Sequence, residues 1–148
     1  MKKYLTLSIL LIMSFLLVSC ELIKWGAFKQ VYHEEILTQK EEQYYVLLYS
    51  ETCPHCEDLL EVALQYKNSN PEIPLYVLNT SDKVHNEEIM APDEYEYQSY
   101  IGTELYTDIR VAHVPALIMV ENGKVNGLIC SYTTDYPKTE IAELLKVE

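Results

Sequence analysis

The chain is poor in several residue types, and each shortage narrows what it can be. Lysine and arginine together number 11 against 23 aspartates and glutamates, a formal net charge of −12. So large a negative excess repels phosphate backbones and anionic headgroups, which excludes nucleic acid as a partner. Only four glycines and six prolines occur among 148 residues, so collagen-like and Pro/Gly-rich disordered chains are excluded too. No apolar run is long enough for a simple membrane span. The longest, residues 5–18, is broken only by Thr6, Ser8 and Ser14, yet as a helix it rises only about 21 Å against a hydrocarbon core of roughly 30 Å. What the chain does have is 49% hydrophobic residues and 13 tyrosines, enough for one globular domain with an ordinary core.

Lys2 and Lys3 precede that apolar run, and the combination reads as a targeting segment rather than part of the fold. The run ends in Leu17-Val18-Ser19-Cys20, which resembles the lipobox of bacterial lipoproteins. The resemblance implies a signal peptide over residues 1–19, lipidation of Cys20 as the first mature residue, and a lipid-anchored tether over 20–27. An uncleaved signal anchor with Cys20 as a bystander is the competing reading. Residues 1–19 hold two lysines and no acids, so the remaining 129 residues carry −14. A chain of that size, its domain proper spanning residues 28–148, buries roughly two thirds of its unfolded surface without a disulfide framework. Cys53, Cys56 and Cys130 remain beyond the anchor, and one pair leaves one thiol over.

Apolar residues Phe28, Val31, Tyr32, Ile36 and Leu37 recur at helical spacing and predict a surface helix over 28–39. Residues 44–49 (YYVLLY) read as a buried strand with helices on both sides. Cys53-Pro54-His55-Cys56 follows at once and opens a helix whose apolar face runs to Tyr66, stopped by Asn68-Ser69-Asn70-Pro71. A second strand over 73–78 (IPLYVL) completes a parallel βαβ unit. Residues 80–102 differ in kind: Asp82, Glu87, Glu88, Asp93, Glu94 and Glu96 interleave with tyrosines, an acidic insertion with a short helix. A helical turn resumes within 103–110. Then Val114-Pro115 leads into a hairpin of strands 116–120 and 125–131 around Glu121-Asn122-Gly123-Lys124, and a last helix begins at Pro137 with Asp135 as its expected N-cap.

Three of these features together resemble the thioredoxin superfamily over residues 28–147: the Cys-x-x-Cys between the first strand and its helix, Val114-Pro115 before an antiparallel hairpin, and the closing helix. The resemblance implies an α/β thioredoxin-like fold, a central mixed sheet flanked by helices, with the acidic insertion before a cis-Pro hairpin. A plain trans proline at a strand start is the alternative for Pro115. Pro54-His55 is similar to the middle pair of the bacterial DsbA-type disulfide oxidases. One departure stands out. Many thioredoxin-like proteins keep a buried acid six residues before the first cysteine; here that place is Leu47, and Glu51 is the nearest acid in sequence.

Cys53 at a helix N-terminus meets unpaired backbone N–H groups and the positive end of the helix dipole, which favours its thiolate as the attacking sulfur. Cys56, one turn further in, is placed to resolve the mixed disulfide. An imidazole of His55 near the Cys53 sulfur would favour the thiolate further and make the disulfide a stronger oxidant. Val114 and Pro115, in the cis form, would offer backbone N–H and C=O groups to an extended substrate. Cys130 on the hairpin reads either as a third redox thiol or as a small core residue. His113 either lines the substrate groove or sits in an exposed loop. A zinc set drawn from Cys53, Cys56, Cys130 and one of His55, His85 or His113 lacks a second paired cluster, so no metal and no cofactor beyond the Cys53–Cys56 disulfide is expected. The acidic insertion is either a lid or partner surface, or a solvated loop.

The two resemblances together imply a thiol–disulfide oxidoreductase, expected as a monomer, anchored by lipid to the extracytoplasmic face of a bacterial cell membrane. Its expected substrates are thiols and disulfides of exported or cell-surface proteins, and a membrane or extracytoplasmic redox partner would recycle it. Disulfide donation is the expected direction. A membrane-tethered reductase and a non-catalytic accessory lipoprotein of the same fold are the alternatives.

Overall fold

The computed structural model of the chain describes residues 25–90, 100–131 and 134–146. The expected signal peptide, the Cys20 lipidation site and Asp93, Glu94 and Glu96 of the acidic insertion lie outside the described residues. Four strands form one mixed sheet in the order β2-β1-β3-β4, with β1 at Gln43–Tyr49, β2 at Leu75–Asn79, β3 at Ala116–Glu121 and β4 at Lys124–Ile129. Strand β1 pairs parallel with β2, Leu47 opposite Val77, and antiparallel with β3, Leu47 opposite Leu117. Helix α1 (Pro54–Asn68) is the crossover that parallel pairing of β1 and β2 requires. It ends where expected: Ser69 caps it, Asn70 takes a left-handed φ of 55°, and Pro71 cannot continue it.

The sheet separates two cores with the period of two that strands impose. On one face, Leu47, Tyr49, Val77 and Leu117 pack against Cys56, Leu59 and Ala63 of α1 and against Ile141 of α3 (Pro137–Leu144) with Leu145 just beyond it. On the other, Tyr44, Val46, Leu48, Leu78, Ala116 and Ile118 pack against Ile36, Ile89, Ile109 and Val111. That second layer is built of short pieces rather than a long helix: 3-10 turns at His33–Glu35, Glu87–Ile89 and Tyr106–Asp108, with the four-residue helix α2 (Lys83–Asn86).

The helix expected over 28–39 does not form. In its place are 3-10 turns at Trp25–Ala27 and His33–Glu35, joined by an extended stretch in which Gln30 bridges Val77 in parallel. Val31 N–H donates to the Val77 carbonyl at 3.0 Å and Val77 N–H to the Lys29 carbonyl at 3.2 Å, so the segment adds to the free edge of β2. The physical reason lies in where the apolar side chains go. Phe28 joins the helix-side core while Val31, Ile36 and Leu37 join the opposite one, a division that no single helix face can make. Trp25 and Ala27 pack with Phe28 on the helix side, so the packed part of the chain takes in residue 25.

Helix α3 begins at Pro137 as expected, but its cap is Tyr136 and not Asp135. Proline at the first helical position drives the residue before it out of helical geometry, and Tyr136 stands at φ −129°, ψ 54°. The hydroxyl of Thr134 accepts from the Tyr136 N–H at 3.1 Å.

Candidate redox site at the start of the first helix

The β1 strand hands the chain to a tight turn in which Cys53 N–H donates to the Ser50 carbonyl at 3.2 Å, placing Cys53 at the helix cap. Cys53 and Cys56 are joined as a disulfide with Cα atoms 5.3 Å apart. The Cys53 sulfur accepts the Cys56 backbone N–H at 3.2 Å, filling the place that a serine or aspartate oxygen takes at an ordinary cap. Exposure differs between the two sulfurs' residues. Cys53 is half-buried, whereas Cys56 is 1% exposed among Leu47, Leu59 and Ala63.

The Val114–Pro115 peptide bond is cis. Pro115 is buried, and the Val114 carbonyl oxygen stands 3.5 Å from Cys53 Sγ. The two motifs recognised in the sequence therefore meet, although 61 residues separate Cys53 from Val114. Pro54 and His55 are exposed on the first turn of α1. The His55 ring makes no hydrogen bond to Cys53 Sγ among the described residues. Its electrostatic influence falls on Asp58, whose carboxyl is held below its usual range first by Lys138, 2.7 Å away, and to a lesser degree by His55.

Clefts open on both sides of Cys53. Toward α3, a groove of about 510 Å³ is lined by His55, His113, Val114, Pro115 and the exposed Tyr136. His113 is exposed and borders this groove. Toward the N-terminal segment, a pocket of about 420 Å³ is lined by Trp25, Tyr49, Glu51, Cys53 and Glu57. Nothing in the residue pattern marks this second cleft, because Trp25 precedes the residues that carry the recognisable motifs; its ring stacks on Tyr49 with centroids 4.3 Å apart.

Leu47 is fully buried beside Cys56, so no carboxylate stands at that point of the core. Glu51 is exposed, and one of its oxygens accepts from Asn79 Nδ2 at 3.0 Å. Cys130 is a thiol buried in the core on the far face of the sheet from Cys56, the place of a small core residue. No group of three His, Cys, Asp or Glu side chains stands in metal-holding geometry among the described residues. Nor is any helix among them long and apolar enough to cross a membrane.

No protein-family model and no curated protein matches the sequence. Among solved structures the chain is similar to mitochondrial thioredoxin 3 from Saccharomyces cerevisiae in its oxidized form, with 9% identity and a TM-score of 0.51 over 72% of this chain and 85% of that one. It is also similar to thioredoxin f2 from Chlamydomonas reinhardtii, with 12% identity and a TM-score of 0.47 over 68% of this chain and 81% of that one. At these identities the likeness concerns the fold alone, and the yeast structure carries it. A close cysteine pair on such a fold suggests thiol–disulfide redox function. The chain is an α/β protein of thioredoxin-like fold, its mixed four-stranded sheet flanked by helices and a Cys-x-x-Cys disulfide at the start of α1.

Proposed function

We propose that this chain is an extracytoplasmic, lipid-anchored thiol–disulfide oxidoreductase that donates the Cys53–Cys56 disulfide to exported proteins. The observation that carries the reading is the asymmetry of the pair. The half-buried Cys53 sulfur faces the Val114 carbonyl at 3.5 Å and the clefts, while Cys56 lies in the core. A substrate thiolate therefore attacks Cys53, the bond to Cys56 breaks, and Cys56 leaves as a thiolate that takes a proton from water. A second substrate thiolate then attacks the substrate sulfur of the mixed disulfide and releases Cys53. Substrate loses two electrons and two protons; the Cys53–Cys56 pair gains two electrons and becomes a dithiol. A redox partner on the same side of the membrane takes those electrons on.

Several features support the oxidising direction. The Cys56 N–H at 3.2 Å and the open end of α1 stabilise a Cys53 thiolate, and a stabilised reduced form makes a stronger oxidant. Leu47 leaves Cys56 without the buried acid that would serve a thioredoxin-type reductant. Pro54-His55 is the DsbA-like pair, and export and anchoring rest on residues 1–20. Exchange of the full-length chain's Cys56→Ala variant with its cell envelope tests the proposal. The lone Cys53 thiolate should exchange into disulfides of exported proteins, each exchange releasing one substrate thiolate, and so accumulate mixed disulfides that dithiothreitol releases, whereas a Cys53→Ala variant should accumulate none. Equal trapping by both variants, or none by either, would contradict it.

A further inference from the structure

We propose that the N-terminal tether holds the Cys53 face of the domain at the membrane, so that its substrates are cysteines of membrane proteins lying within about 30 Å of the bilayer surface. This rests on the oxidoreductase reading with its Cys20 anchor and sharpens it to a substrate class. The packed chain begins beside the reactive sulfur. Trp25 is 7% exposed, stacks on Tyr49 with ring centroids 4.3 Å apart and lies against Phe28 at 5.9 Å. Phe28 N–H donates to the Trp25 carbonyl at 3.1 Å and Gln30 Nε2 to the Tyr49 hydroxyl at 3.0 Å, which fastens the segment to the end of β1 just ahead of the Cys53 turn. Trp25, Tyr49 and Cys53 line one pocket of about 420 Å³, a space roughly 9 Å across if round.

Only residues 21–24 separate Cys20 from Trp25. They lie outside the described residues, but covalent geometry limits five residue steps to about 18 Å whatever path they take. Tether and pocket together keep the sulfur within about 30 Å of a lipid-modified Cys20. A domain of this size is roughly 35 Å across, so a tether joined to the opposite face would leave the sulfur about 50 Å out. Here anchor and disulfide share one side. The 129 residues from Cys20 onward carry −14, and anionic headgroups repel that charge, which holds the domain off the lipid rather than flat against it. A cysteine of a second membrane-bound protein at that height is confined to the same thin layer, which raises its effective concentration. One displayed far above the bilayer does not meet the sulfur.

Single-turnover oxidation of membrane-bound reporters tests this. The full-length chain in its lipid-modified, oxidised form is reconstituted in phosphatidylcholine vesicles with a transmembrane peptide. The peptide carries two cysteines on a rigid helical stalk, about 15 Å or about 60 Å above the bilayer, and becomes a disulfide as the Cys53–Cys56 pair becomes a dithiol. The near reporter should be oxidised roughly tenfold faster than the far one, or more. A spacer of thirty Gly/Ser residues inserted between Ile23 and Lys24, with a mean span of about 30 Å, should bring the two rates within about threefold. A soluble two-cysteine peptide should react with the parent and spacer chains at rates within about twofold of each other. Equal rates at the two heights in the parent chain, or a ratio unmoved by the spacer, would overturn this inference and leave the oxidoreductase reading standing. Failure to oxidise either reporter or the soluble peptide would end both. A chain that washes off the vesicles would end the anchor and this inference with it.

Discussion

His33 is 3% exposed, and its ring is fastened on two sides. Its Nε2–H donates to the Ile109 carbonyl at 3.0 Å, and Tyr106 meets the ring edge-on with centroids 5.3 Å apart. Its backbone N–H donates to Asn86 Oδ1 at 2.8 Å. Burial holds the imidazole below its usual range, only partly offset by the backbone bonds to Ile109 and Tyr106. The folded state therefore keeps His33 neutral at a pH where the unfolded chain, with a pKa near 6.5, takes a proton. Stability from this group is complete above about pH 6.5 and is lost as pH falls through that value toward the folded pKa, by at most about 1.4 kcal/mol per pH unit. Urea titrations at pH 7.5 and 5.5 should show a smaller drop in His33→Leu than in the parent chain. An unchanged drop would mean that His33 is not the titrating group.

At the scale of elements, the hairpin of β3 and β4 depends on one turn. Asn122 and Gly123 both have positive φ, 52° and 73°, the geometry that a two-residue type I′ connection requires. A Cβ on Gly123 would also come 3.4 Å from the Leu37 carbonyl oxygen. Gly123→Ala should cost about 1 kcal/mol or more, seen as a lower urea midpoint at unchanged slope. The potential of the Cys53–Cys56 couple should not move, since the turn lies at the opposite end of β3 from Pro115. A midpoint equal to the parent's would refute the turn assignment. This hairpin was legible in the sequence because Asn-Gly between two apolar runs is a local signal, as is Cys-Pro-His-Cys, whose proline belongs in a helix's first turn. Residues 28–39 were not legible in the same way. Their spacing fits a helix, and only the tertiary split of Phe28 from Val31, Ile36 and Leu37 shows that they wrap the β2 edge. The pocket beside Trp25 was not legible for the same reason, since nothing local ties Trp25 to Cys53.

For the whole molecule, the net charge of −12 first served to exclude polyanions. At the site, Glu51 and Glu57 line the pocket beside Trp25, while His55, His113 and Asp135 line the groove toward α3, where Lys138 is paired with Asp58. The fold brings the helix start and the Cys56 N–H to the Cys53 sulfur, where both favour a thiolate, and sets the Val114 carbonyl 3.5 Å from it while Cys56 stays in the core. Under the proposed function, this arrangement makes the pair an oxidant. Equilibrating the full-length chain with glutathione buffers, and reading the Cys53–Cys56 dithiol fraction by thiol alkylation, measures it directly. The expected potential lies well above the roughly −270 mV of thioredoxin. A potential at or below about −270 mV for the parent chain would contradict it.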